Sequence, residues 1–261
     1  MYLSKRDIKY EIQNIQTFIY NTTIDTGFKK VIVGLSGGID SAVIAALCTQ
    51  ALGTENVYGV MMPYKKSHPD SLNHATILAQ QLKIHHETID ISLMADAYFT
   101  EPPTEPLRMG NLLARLRMCV LYDLSAKYSA LVVGTSNKSE IYTGYCTQYG
   151  DSACAFEPIA HLYKTEVREM AKILNIPTQI IEKPPSADLW EGQTDEGEIG
   201  ISYPLLDKIL YLLLDEHRTQ DYITQQGVSQ TDIDLVCKKI KNSHFKRQMP
   251  KTIEKVWENH Y

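Results

Sequence analysis

Between a β-branched run and a run of small aliphatic residues, the stretch KKVIVGLSGGIDSAVIAAL, Lys29 to Leu47, inserts two adjacent glycines and several small polar residues. Val31-Ile32-Val33 is too short to be a helix and has the composition of a buried strand, whereas the residues from Ser41 to Leu47 have helical character. The loop therefore joins a strand to a helix N-terminus. Unpaired backbone N–H groups and the positive end of the helix dipole converge at such a junction, and glycines let a phosphate approach the backbone. Gly34, Leu35, Ser36, Gly37, Gly38, Ile39, Asp40 and Ser41 are accordingly candidates for binding a nucleotide's phosphates. The segment lacks the GK[ST] ending of a Walker A loop, which argues against a kinase or GTPase.

The rest of the chain continues this pattern. Ile8, Ile12, Ile15 and Ile19 define an amphipathic N-terminal helix. Strand-like and helix-like segments then alternate: Val31 to Leu35, a helix to about Leu52, Val57 to Met62, a helix from Asp70, a strand ending at Ile91, a long helix from Gly110 to Tyr128, and ALVVGT from Ala130. Such alternation predicts an α/β fold built on a doubly wound parallel sheet with helices on both faces. After Asp151 the pattern turns helical, with segments from Lys164, Tyr203 and Gln230, so the C-terminal part is expected to be helical. Ligands of such sheets sit beyond the C-terminal ends of the strands, and GLSGGIDS and GTSNKSE should open onto one crevice. Two stretches read as irregular, 100–106 and 182–200. The second is long enough to be a lid or a binding loop.

Length and composition narrow the function. A chain of 261 residues suits one large domain spanning 1–261. With 44% hydrophobic and 22% charged residues and no apolar run of membrane-spanning length, it is expected to be soluble and not to engage a membrane. No secretory signal is apparent, and five scattered cysteines without a C-x-x-C pair fit reduced thiols, mostly in the core, of a cytoplasmic protein. A formal charge of −5 weighs against a nucleic acid as ligand.

Asp40 sits in a loop suited to anions, where it would repel phosphate unless a cation lies between them. Mg²⁺ shared between the carboxylate and the phosphates resolves the conflict. GTSNKSE places Thr135 at a strand end and Glu140 on the incoming turn, where Glu140 would be the second metal carboxylate. Taken alone, that segment reads as a helix cap, with Ser136 or Asn137 as N-cap. Lys164, at a helix start, is unfavourably placed against the dipole, which hints at a bound anion.

SGGIDS resembles the pyrophosphate-binding loop of the N-type ATP pyrophosphatases, an adenine nucleotide alpha hydrolase-like group. GTSNKSE, YGD at Tyr149 to Asp151, PIAHLYKTEV from Pro158, KPPSADLWEGQTDEGEIGISY from Lys183 and FKRQMP from Phe245 together resemble the ammonia-dependent NAD synthetases over nearly the whole chain. The resemblance implies a two-step reaction. The carboxylate of deamido-NAD attacks the α-phosphate of ATP to release pyrophosphate, and ammonia then displaces AMP from the acyl adenylate. It implies that Ser36 to Ser41 bind pyrophosphate, that Asp40 and Glu140 hold Mg²⁺, and that Thr135, Lys164 and Ser186 contact ATP. It also implies that Arg115, Asp151 and Lys246 face deamido-NAD, that Ser186 and Asp188 belong to a loop folding over the nucleotides, and that the protein is a homodimer.

Trp190 is expected to anchor that loop when it closes, because Pro184 and Pro185 forbid regular structure at its start and Gly192, Gly197 and Gly200 make the remainder costly to order. A common family version reads TKxGDGGAD, and Gln148 and Ala155 depart from it in TQYGDSACA. Phe245 likewise replaces a histidine. A glutaminase domain does not fit in the chain, so ammonia is the expected nitrogen donor. The rival readings are a tRNA-thiolating adenylating enzyme, which would need an RNA-binding module and paired cysteines, and a nucleotide-binding homologue without turnover.

Overall fold

The computed structural model describes residues 7–65, 69–99, 101, 103, 105–186 and 192–252. Helix α1 (Ile8–Asp25) precedes strand β1 (Lys30–Gly34), followed by α2 (Ile39–Leu52), β2 (Val57–Met61), α3 (Pro69–Leu82), β3 (His85–Thr88), α4 (Ser92–Tyr98), α5 (Pro106–Tyr128) and β4 (Ala130–Val132). The strands form a parallel sheet in the order β3-β2-β1-β4, with Val31 opposite both Val57 and Leu131. The chain runs outward from β1 to β3 and then crosses back to place β4 on the other side of β1. The loops after β1 and β4 thus diverge at a switch point, where such sheets open a crevice.

The two-residue period of β1 assigns its side chains to two cores. Val31 and Val33 pack with α1, α2 and α3, while Ile32 packs with Val60, Ala130 and the apolar side of α5. Both faces are therefore covered, as a parallel sheet requires. Helix α2 is buried from Ile39 and Ser41 through Cys48, which explains its nearly uninterrupted run of small and aliphatic residues.

Beyond β4 come α6 (Lys138–Thr143), α7 (Lys164–Ile173), α8 (Thr178–Glu182), α9 (Asp195–Ile199), α10 (Tyr203–Leu210), α11 (Gln220–Gln225) and α12 (Gln230–Asn242). Helices α10 to α12 gather around a second core of Tyr163, Tyr203, Leu206, Ile209, Ile223 and Val236. The doubly wound sheet and the helical C-terminal part are thus as the periodicity predicts.

Several local readings are corrected. The strand expected to reach Ile91 stops at Thr88, because Asp90 Oδ1 accepts from Ser92 N at 2.7 Å and turns the backbone into α4. The segment 182–200 is not irregular throughout: Thr194 caps α9 by accepting from Gly197 N. Of the five cysteines only Cys48 is buried; Cys119 is exposed and Cys146, Cys154 and Cys237 are intermediate, so most are not core residues. All five are free thiols. Among the described residues no helix is long and apolar enough to cross a membrane.

Candidate active site

A cleft of about 830 Å³ opens at the switch point. It is lined by the loop after β1, the loop after β4, the start of α7 and the segment following α8. The first loop is stitched by its own hydroxyls: Gly38 N donates to Ser36 Oγ at 3.2 Å, Ser41 Oγ donates to Gly38 O at 3.0 Å, and the two serine oxygens lie 3.1 Å apart. Gly38 is the N-cap of α2 and has no side chain to satisfy the first amides. The opening N–H groups of a 14-residue helix therefore face the cleft free to receive an anion. Gly37 has φ +75° and lies so close to α3 that an added Cβ would meet Ser71 O at 2.1 Å. Only glycine fits there.

The second loop supplies the carboxylate. Asn137 caps α6 by accepting from Glu140 N at 3.1 Å, and Glu140 Oε2 returns to Asn137 N at 3.4 Å, closing a capping box. The capping reading and the functional reading are both satisfied by one arrangement. The box fixes Glu140, which leaves Oε1 to meet Lys164 Nζ at 2.8 Å. Asn137 Nδ2 also donates to Asp40 Oδ1 at 2.9 Å, coupling the two loops.

Lys164 Nζ reaches Asp40 Oδ2 at 2.6 Å and stands over the Tyr203 ring, 5.2 Å from its centroid. Its side chain is 3% exposed, against 16% and 15% for Asp40 and Glu140. Burial works against the ammonium's charge, but the Asp40 and Glu140 carboxylates outweigh it and hold the lysine in its charged form. Glu140 is pushed up to about 8 by burial, with Asp40 adding repulsion and Lys164 opposing it. One cation shared between two carboxylates leaves an excess of negative charge. The anion expected beside Lys164 is therefore first of all this carboxylate pair, which also offsets the unfavourable position at the N-terminus of α7. Ser139, hydrogen-bonded to Asp207, accepts from Lys164 N at 3.0 Å and locks the helix start.

A third acid, Asp195, comes from α9. It is 4% exposed, Tyr203 OH donates to its Oδ2 at 3.1 Å, and the Tyr145 hydroxyl lies beside the same carboxylate. Sequence reasoning read Asp195 only as part of a lid. Glu157, half-buried against Cys154, whose Sγ lies 3.5 Å from its Oε1, is pushed up to about 7 by burial but does not line the cleft. No short-range pattern marks Asp195, whose place beside Lys164 and Asp40 is set by residues distant in sequence.

The other expected residues are distributed as follows. Gly34, Leu35, Ile39, Thr135, Asp151, Ser186 and Lys246 line the cleft. Asp151 Oδ1 accepts from Thr147 N at 2.8 Å, and Lys246 Nζ donates to Gly144 O and Cys146 O at 2.8 and 2.7 Å. Arg115 does not line the cleft: it is exposed and donates to Gln148 O at 3.2 Å, bracing the turn that carries Asp151. The arginine facing the cleft from α5 is Arg117, whose Nε donates to Met62 O at 3.0 Å. Asp188 and Trp190 lie outside the described residues.

The NAD synthase family model matches residues 11–250. The NH3-dependent NAD+ synthetase of Fusobacterium nucleatum subsp. nucleatum is 49% identical over 251 residues, covering 95% of this chain and 97% of that protein. Among solved structures, an NH3-dependent NAD synthetase from Campylobacter jejuni, in complex with the nitrate ion, is similar with a TM-score of 0.81 and 34% identity, over 95% of this chain and all of that one. An NMN synthetase from Francisella tularensis is similar with a TM-score of 0.86 and 32% identity, over 96% of this chain and all of that one.

Proposed function

Because the chain belongs to the NAD synthase family, we propose that its cleft makes NAD by ATP-dependent amidation of deamido-NAD with ammonia. It is a ligase that forms a C–N bond, with ATP as co-substrate. A nicotinate oxygen attacks the α-phosphorus of ATP, the bond to the bridging oxygen of pyrophosphate breaks, and an acyl adenylate results. Ammonia then adds to the acyl carbon, AMP leaves, and the new amide nitrogen sheds a proton. No side-chain nucleophile is needed, so the protein's contribution is positioning and charge stabilisation. The observation that carries the reading is the joining of the SGGIDS loop to the Asp40, Glu140 and Lys164 cluster within one cleft.

In this reading the amides and hydroxyls of Ser36 to Ser41 receive the departing pyrophosphate, Thr135 and Ser186 hold ATP, and Lys164 bridges Asp40 and Glu140 and holds them in register. Asp151, Lys246 and, from α5, Arg117 or Arg115 are the groups offered to deamido-NAD. Mg²⁺ fits the donor set. One lysine stands against the three carboxylates of Asp40, Glu140 and Asp195, an arrangement that favours a divalent cation. Mg²⁺ takes one or two protein carboxylates together with phosphate oxygens and water. Asp40 and Glu140 would hold it, and it would neutralise charge on the phosphates.

A homodimer is supported by the exposed apolar side chains of α4, where Leu93 and Tyr98 are 82% and 70% exposed. Large apolar side chains left exposed on one helix are suited to an interaction surface. Sedimentation should give the mass of two chains; a single-chain mass at micromolar concentration would remove the dimer.

The reaction itself is tested by incubating the protein with ATP, Mg²⁺, ammonium and deamido-NAD or, separately, nicotinate mononucleotide, and following AMP and pyridine nucleotides by chromatography. AMP and NAD should appear together from deamido-NAD, with activity rising as pH approaches the ammonium pKa, since only free ammonia is nucleophilic. Preferential amidation of the mononucleotide would overturn the substrate; absence of AMP with both would overturn the reaction.

A further inference from the structure

The phosphate loop lacks the lysine of a Walker A sequence, and Lys164 cannot simply replace it, because two of its three donors are committed to Asp40 and Glu140. The triphosphate of ATP and the pyrophosphate that leaves would thus meet a loop without a lysine of its own, beside a Lys164 that is shared between two carboxylates. The structure supplies a different cation. Lys183 follows α8, whose Ile180 is buried in the main core, so its backbone is anchored on a rigid element, with Pro184 and Pro185 restricting the chain immediately after it. Its Nζ donates to Ser71 Oγ at 2.8 Å, and Ser71 is buried in the first turn of α3.

Ser71 is also the residue whose carbonyl oxygen would meet a Cβ on Gly37 at 2.1 Å. The ammonium is therefore held one residue away from the middle of the phosphate loop. Lys183, Ser71, Ser36 and Gly38 all line the same cleft. Among the described residues Lys183 has no carboxylate partner, which leaves its charge uncompensated and two of its three N–H donors uncommitted.

We propose that Lys183 is a catalytic residue that binds the phosphates of ATP released as pyrophosphate, supplying from a distant segment the charge that the SGGIDS loop lacks. This rests on the ATP-dependent reaction above and adds to it a binding residue that the loop motif does not contain. The geometry divides labour between two lysines: Lys164 organises the carboxylates, and Lys183 meets the leaving group.

The test is calorimetric titration of magnesium pyrophosphate and, separately, of AMP into the protein and its Lys183→Ala, Lys183→Gln and Lys183→Arg variants. A charge-assisted bond to phosphate predicts that Lys183→Ala weakens pyrophosphate by about ten- to hundredfold, that Lys183→Arg recovers most of the affinity, and that AMP binding is unchanged. Lys183→Gln keeps a donor for Ser71 without the charge and is read in the same way should the alanine variant not fold. Pyrophosphate affinity in Lys183→Ala or Lys183→Gln within about twofold of the parent overturns the proposal, as does an equal loss for AMP. The titration needs no turnover. Binding that depends on Lys183 in a protein that makes no NAD refutes the reaction alone; NAD synthesis with binding indifferent to Lys183 refutes the lysine alone.

Discussion

Lys164→Met is expected to abolish pyrophosphate release and to lower stability by about 3 kcal/mol, because it strips the shared cation from two largely buried carboxylates. The figure is the low end for a broken buried pair, since Asp40 and Glu140 each keep about a sixth of their surface in contact with water. Methionine preserves most of the stem's volume, so the loss reports charge and hydrogen bonding and not a cavity. Without Lys164, Asn137 alone among the described residues ties Asp40 to the Glu140 loop, and the two carboxylates repel. Lys164→Arg keeps the charge but places a larger planar group in a site only 3% exposed, so it should recover stability in part and activity poorly. Urea unfolding and isotope exchange between pyrophosphate and ATP measure the two effects. Exchange within tenfold of the parent in Lys164→Met would remove the residue from the mechanism.

The second large effect is at Gly37. Gly37→Ala must accommodate a Cβ 2.1 Å from Ser71 O at a φ of +75°. The obstruction is backbone on both sides, so no side chain can swing away to relieve it. The positive φ costs roughly 1 kcal/mol and the overlap about 1 to 3 kcal/mol more, a total of about 2 to 4 kcal/mol. The protein can escape that cost only by moving the phosphate loop away from α3, which would also separate Ser36 and Gly38 from Ser71 and Lys183. ATP binding should therefore fall by more than stability does. Gly227→Ala is the control. Gly227 has φ +81° but nothing within 4 Å of an added Cβ, so it should lose only about 1 kcal/mol, with ATP binding intact. Equal, small losses at both positions would show that the contact with α3 is not needed.

The sequence by itself determined the strand-loop-helix unit, the parallel α/β class, the helical C-terminal part, and the two loops that meet at the cleft. These are legible because each depends on short-range chemistry: the two-residue period of Val31 to Val33, the glycines before a helix, and the Asn137 to Glu140 cap. What only the tertiary structure decided is how charge is distributed among segments distant in sequence. Lys164 is 124 positions from Asp40, and the bond from Lys183 to Ser71 spans 112. Asp195 is brought beside Lys164 and Asp40 by the packing of α9, and α5 turns Arg117 toward the cleft and Arg115 toward solvent. A helix's periodicity says which residues share a face, but the neighbour that face meets is fixed by the packing of the whole molecule. So is the choice of which carboxylate and which ammonium are brought within 3 Å of each other.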